Sequence, residues 1–217
     1  MILKRLRLPG LFLVATGLLG TAARTPAVTR NDLRVDQAVE ALRAPALTAV
    51  ARGLDLAFGP VAGVLIIVLL AAALALAGRV RTAVLVTVMI TAGWTTCEIF
   101  KQVIARPRPP MAGSLLHEIG HDGFPSGHVA LTLSLVIAAG FLTAGTRLFR
   151  LVVSAGVVLV AVQALARMYL GVHYPTDVIG SVLAAGAGTS AVIALRDDID
   201  RWIGRMAVLT RPGDRAR

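Results

Sequence analysis

The sequence predicts an all-α integral membrane protein: a bundle of six spanning helices, with an amphipathic helical segment between spans 1 and 2. Three observations predict it. Of 217 residues, 56% are hydrophobic and only 16% are charged. The mean hydropathy is +0.77, more apolar surface than a soluble domain of this length can bury. Apolar runs of helical length recur along the chain, joined mostly by short polar stretches.

A bilayer core needs about 20 apolar helical residues. Residues 58–77, 82–100, 129–144, 149–170 and 178–195 approach that length. Residues 8–23 form a shorter run opened by Pro9 and Gly10. Its rival reading is a cleaved signal peptide, with Met1 to Arg7 as the basic region and Thr21-Ala22-Ala23 as the cleavage site. An uncleaved first span is the preferred expectation. In the sixth span, Gly180, Ala184, Gly186 and Gly188 favour close helix packing.

Between spans 1 and 2, Leu33, Val39, Leu42, Leu47, Val50 and Leu54 recur at roughly helical spacing, interrupted by Pro45. Charged residues fill the gaps, as in an amphipathic helix at a membrane interface. This segment is expected to cover the outer end of the bundle; admitting a lipid is the alternative role. Residues 1–200 are read as a single transmembrane domain. Residues 201–217 are read as a cytoplasmic tail, with Trp202 at the interface and a disordered end over residues 211–217. The sequence shows no internal repeat, and a second soluble domain is not expected within it.

The net charge is +10. No basic run interleaved with aromatics accompanies it, so no nucleic-acid partner is expected. Cations flanking spans instead set membrane orientation. With the N-terminus in the cytoplasm, most Lys and Arg fall inside, and the C-terminus is cytoplasmic too. Lys101, Arg106, Arg108 and Arg167 break that trend by falling outside. The Arg bias, with abundant Ala, Val, Leu and Gly, suits a GC-rich bacterial genome, hence a bacterial inner membrane. The single cysteine, Cys97, excludes an intrachain disulfide.

Three polar motifs end or begin apolar runs on the same outer side. The first is KQVIARPRP from Lys101. Pro107, Pro109 and Pro110 stiffen the loop that carries Arg108. Lys supplies a point charge and Arg a planar fork, both suited to a phosphoryl group. Arg106 is expected to be a membrane-surface anchor. Glu98, one turn before Lys101, is expected to pair with Lys101 or Arg108, or to line the pocket.

The second motif is Pro125-Ser126-Gly127-His128. Ser126 suits an N-cap, Gly127 lets a ligand approach the backbone, and the free N–H groups of the helix favour an anion. His128, on the first turn, can protonate a leaving oxygen. The third motif is RMYLGVHYPTD from Arg167. Gly171 allows a turn and Pro175 suits a helix start. His173 and Asp177 are four apart, a spacing at which the carboxylate can take Nδ1–H and leave Nε2 as nucleophile. His117 and His121, flanked by Glu118 and Asp122, form a conceivable metal site. An outer loop near the site mouth is the default expectation, with no metal and no cofactor.

These residues resemble the type 2 phosphatidic acid phosphatase (PAP2) superfamily, membrane lipid phosphatases related to vanadium haloperoxidases. Lys101, Arg108 and Pro109 match its K-x6-R-P motif, and Pro125 to His128 match P-S-G-H. Arg167, His173 and Asp177 match S-R-x5-H-x3-D, with Ala166 where the family has serine. The resemblance implies a haloperoxidase-like helical core and a metal-independent phosphatase. His173 is then the nucleophile and forms a phosphohistidine. His128 is the acid, and Asp177 orients His173. Lys101, Arg108, Ser126, Gly127 and Arg167 hold the phosphoryl oxygens. The implied partners are the bilayer and a membrane lipid phosphate. A polyprenyl (undecaprenyl-type) diphosphate at the outer leaflet is the first choice. Phosphatidylglycerophosphate, phosphatidic acid and phosphotransfer between lipids are the alternatives. A non-enzymatic anion-binding membrane protein or transporter is the reading from a different class.

Overall fold

Prolines mark the helix starts. Pro26, Pro45, Pro60 and Pro175 each sit in a first turn, where a missing N–H breaks no helical bond. The computed structural model of the chain describes residues 2–209. A short α1 (Ile2–Arg5) leads into α2 (Arg7–Ala23), α3 (Pro26–Glu40), α4 (Pro45–Ala57) and α5 (Pro60–Leu76). Then follow α6 (Val80–Ile104), α7 (Gly127–Thr143), α8 (Phe149–Tyr169) and α9 (Pro175–Leu209).

Helices α6, α8 and α9 are each long and apolar enough to cross a membrane alone. The pairs α2–α3 and α4–α5 pass that test only as bent units, with bends of 87° and 56°. The 87° bend turns α3 across the end of α2, and Thr25 caps α3 by accepting from the Val28 N–H. Helix α7 is a shorter apolar element of 17 residues. The six expected apolar segments thus lie on α2, α5, α6, α7, α8 and α9, while α3 and α4 lie against the end of the bundle that carries all three motifs. Expected and observed spans agree in place. Two are longer than expected: α6 runs on to Ile104, which puts Lys101 in its last turn, and α9 runs on to Leu209, through much of the expected tail. The expected disordered end at residues 211–217 lies outside the described residues.

The bundle centres on α9, which packs against α2, α6 and α7. Small residues make this possible, as their spacing implies. A side chain at Gly188 would overlap the Ala92 carbonyl, and one at Gly180 would overlap the Phe124 ring. An apolar core of Leu85, Met89, Ile90, Leu131 and Val192 joins α6, α7 and α9. Segment 24–55 is indeed a covering element. Arg43 donates to the Gly113 and Tyr169 carbonyls at 2.5 and 2.9 Å, and the Tyr169 hydroxyl accepts from Ala44 N–H at 2.8 Å. These bonds tie the α3–α4 junction to the end of α8.

Candidate active site

The three motifs meet at one end of the bundle because each sits at a helix boundary there. Ala105 closes α6 in the left-handed conformation, with φ 46°. The 105–126 loop then folds back on itself, Gly123 N–H donating to the Arg106 carbonyl at 2.9 Å, and meets the end of α8, where Leu115 N–H donates to the Leu170 carbonyl at 2.8 Å. Gly171, with φ +74°, turns the chain from α8 towards α9, and a side chain there would press on the Gly113 carbonyl.

His173 is the buried centre. Its Nδ1 lies 2.7 Å from the Gly123 carbonyl. A carbonyl only accepts, so Nδ1 carries the proton and Nε2 keeps its lone pair. That Nε2 lies 3.4 Å from Arg108 Nη1. Burial, followed by the cations of Arg167, Arg108 and Lys101, holds the imidazole pKa well below its ordinary 6.5; the Gly123 carbonyl opposes this. The ring is therefore neutral at neutral pH, as a nucleophile must be.

Asp177 does not make the expected bond to His173. Its Oδ2 is 3.7 Å from Nδ1, which is too far. It accepts instead from the Tyr174 N–H at 2.8 Å, and its Oδ1 takes Arg106 Nη1 at 2.5 Å. The reason is local. His173 precedes the helix, so helical i,i+4 geometry does not apply. Asp177 is the third residue of α9 and reaches back to the N–H before the helix, as in a capping box.

Arg106 corrects a second expectation, since it is no surface anchor. It is 1% exposed, pairs with Asp32 at 2.7 Å and donates to Thr176 Oγ1 at 2.7 Å. Its guanidinium also lies 4.2 Å from the centre of the Tyr174 ring. Asp36, close by on α3, is buried and has no hydrogen-bond partner. Burial, then the nearby charges of Asp177, Glu40 and Asp32, pushes its carboxyl up to about 8, so it is protonated at neutral pH.

Of the phosphate-binding candidates, Arg108 reaches Nε2, and Arg167 and Lys101 are near enough for their charges to act on the ring. Arg167 is buried and pairs with Asp55, and its Nη2 donates to both Glu118 oxygens at 2.8 and 3.0 Å. Arg108 meets Glu118 at 2.5 Å and Asp122 at 2.9 and 3.0 Å. Lys101 pairs with Glu98 at 3.0 Å. A side chain on Gly127 would press on Glu98 Oε1 at 2.8 Å and Lys101 Nζ at 3.1 Å, so glycine leaves this pair undisturbed. Ser126 stands at the N-cap position of α7 but does not cap. Its Oγ is buried without a partner, while its N–H donates to Ser181 Oγ at 2.7 Å. Arg167 Nε is likewise buried and unpaired. His128 Nε2 lies 3.1 Å from Asp55 Oδ1 and 3.2 Å from the Asp55 carbonyl, so this nitrogen carries its proton.

Asp55, Glu118, Asp122, Asp32 and Arg106 are site residues that motif reasoning missed. A signal existed for two of them. In the 117–122 stretch, His117 and His121 are exposed, while Glu118 and Asp122 turn inward to the arginines. The four side chains therefore do not converge on one point. Ala166 packs with Ala51, Tyr169, Leu170 and Val172, an apolar cluster against α4.

The fold and site together define a membrane-embedded helical protein with histidines set among cations. Residues 81–201 match the family model of the PAP2 superfamily, and the chain belongs to that superfamily. It is 31% identical over 176 residues to the decaprenylphosphoryl-5-phosphoribose phosphatase of Mycobacterium tuberculosis, covering 79% of this chain and 92% of that protein. It is 33% identical over 113 residues to the Escherichia coli protein named "Putative undecaprenyl-diphosphatase YbjG". That match covers 50% of this chain and spans only 52% of the E. coli protein. Among solved structures, the PAP2-type phosphatidylglycerolphosphate phosphatase of Bacillus subtilis superposes with a TM-score of 0.71 at 24% identity, covering 96% of this chain and 98% of that one. LpxE of Aquifex aeolicus gives 0.56 at 19% identity, over 75% and 93%. These two likenesses concern the fold.

Proposed function

We propose that the protein is a lipid phosphate phosphatase. One observation carries this reading most directly: a neutral buried imidazole presents its Nε2 lone pair to Arg108. Close by are Arg167 and Ser126, each with a buried polar atom that has no partner. In this mechanism His173 Nε2 attacks phosphorus as the bond from phosphorus to the lipid oxygen breaks. His128 gives its Nε2 proton to that oxygen. His128 then takes a proton from water as the water attacks the phosphohistidine. The P–N bond breaks, and inorganic phosphate leaves. Lys101, Arg108, Arg167, Ser126 and the Gly127 backbone hold the equatorial oxygens, supplying preorganised charge. Asp177 acts through the loop, by fixing Tyr174 and Arg106, and steadies His173 indirectly. The side chains provide the positive charge that the transition state needs, so activity is expected to persist in EDTA.

The substrate proposed is a polyprenyl-linked phosphate or diphosphate. Both curated relatives carry polyprenyl names, one for a phosphate monoester and one for a diphosphate. The site is proposed to face the outer side of a bacterial inner membrane, with both termini in the cytoplasm. The distribution of cations favours this: 13 Lys and Arg fall inside and 9 outside, and four of those nine, Lys101, Arg106, Arg108 and Arg167, belong to the site. The decisive experiment gives purified protein a panel of lipid phosphates with EDTA present. Phosphate release from a polyprenyl substrate, lost in His173→Ala, is the expected result. Anion binding or transport without turnover would support the non-enzymatic alternative, and full activity in His173→Ala would remove the nucleophile assignment.

A further inference from the structure

Two apolar cavities open at the site end, and only one reaches the catalytic groups. The first, about 600 Å³, lies at the bend between α4 and α5. His128, Asp55 and Glu118 line its polar end, and Leu56, Val61 and Leu65 line the rest. The second lies between α4 and α8, lined by Leu47, Val50, Leu54, Val162 and Leu165, and contains none of the proposed catalytic or phosphate-holding residues.

Chemistry selects between them. On the phosphatase reading, His128 hands its proton to the oxygen that joins phosphorus to the rest of the lipid. Whatever that oxygen carries must therefore leave the site past His128. Gly59 borders this exit: a Cβ there would lie in contact with His128 Nε2, at 3.6 Å. Beyond it the wall becomes apolar at once. Val61 and Leu65 are 77% and 56% exposed, with no protein over them. They are one helical turn apart, so they form a strip about 6 Å long on a spanning helix.

We infer that this cavity is the binding site for the substrate's hydrocarbon chain. The chain runs from His128 over the α4–α5 bend and down the Val61–Leu65 face of α5 into the surrounding lipid. This rests on the phosphatase reading for its direction, from acid to wall. Because the groove is open along its side, it grips only the first part of the chain. Selectivity is therefore for having a chain, with little sensitivity to its total length.

The test compares a long-chain polyprenyl phosphate with chainless p-nitrophenyl phosphate on purified protein. Val61→Trp and Leu65→Trp fill the groove. They are expected to raise KM for the lipid, relative to KM for p-nitrophenyl phosphate, by about tenfold, the loss of roughly two buried CH2 groups. Leu76→Trp, exposed at the far end of α5, is expected to leave both values as in wild type. A ratio unchanged in the two groove variants would overturn the proposal. A second measurement needs no variant and no turnover. A lipid phosphate with a diazirine in its first few carbons is photolysed on wild-type protein, and its adducts are mapped. Adducts within residues 56–65, weaker with the same alcohol lacking phosphate, are expected. Adducts in the α4–α8 groove, or equal labelling by the alcohol, would count against the site. If wild type hydrolyses neither substrate, the phosphatase reading fails, and the labelling alone decides where the chain binds.

Discussion

Two arginine-centred clusters share the site end, and they differ in where their carboxylates lie. Around Arg106, both partners, Asp32 and Asp177, are buried with it. Around Arg108 and Arg167 the cations are buried, but the acids are not. The side chains of Asp55, Glu118 and Asp122 keep 25%, 29% and 45% of their exposure. A buried acid cannot leave its cation without stranding a charge, whereas a half-wet acid can swing into water at small cost. The first cluster is thus a brace that holds the His173 loop. On the proposed function the second is the ligand site, whose acids hold the cations until a phosphoryl group replaces them.

The comparison can be broken most directly at the brace. Arg106→Gln would leave two buried carboxylates without their cation, an expected loss of about 3–5 kcal/mol of stability. A thermal melt equal to wild type would show that Arg106 braces nothing. Next in size is Arg167→Gln, expected to melt near wild type yet lose about 10²–10³ in kcat, as for the loss of one preorganised donor. A large stability loss with little change in kcat would erase the distinction between the clusters.

The pH dependence of kcat/KM offers a finer probe. In the proposed mechanism the nucleophile is the neutral form of His173, and burial with the neighbouring cations lowers its pKa. Activity should therefore hold below pH 6.5 and fall only as pH drops through that depressed value. Arg108→Gln removes one of the cations, so the acid limb should move to higher pH; a limb that stays in place would separate Arg108 from His173. The smallest effect is expected at Glu118→Gln. Freeing Arg108 and Arg167 from a partly exposed acid should tighten inhibition by inorganic phosphate about threefold, in line with the roughly 0.2–1 kcal/mol of such pairs. Weaker inhibition would mean that Glu118 assists phosphate binding.

Much of this was legible in the sequence. Gly171, Pro175 and the small residues of α9 do what their spacing implied, and the motif residues Lys101, Arg108, Ser126, Gly127, His128, Arg167 and His173 come together at one end. The less legible parts have a common cause. Asp32 and Asp55 come from a segment read only as amphipathic, and they meet Arg106 and Arg167 across 74 and 112 residues. No local pattern marks such a pair. The expected His173–Asp177 bond failed for the opposite reason. His173 stands just outside α9, where helical i,i+4 spacing does not hold.

The sequence by itself determined the place and order of the apolar helices, roughly where each starts, and which polar residues gather at one end. Apolar run length, proline and glycine are local signals, and a bilayer enforces them. Only the tertiary structure decided which acid pairs with which cation, and so which arginine is locked among buried acids and which faces acids that reach water. Ion pairing depends on distance and burial in the folded chain, and those emerge only when helices far apart in sequence pack together.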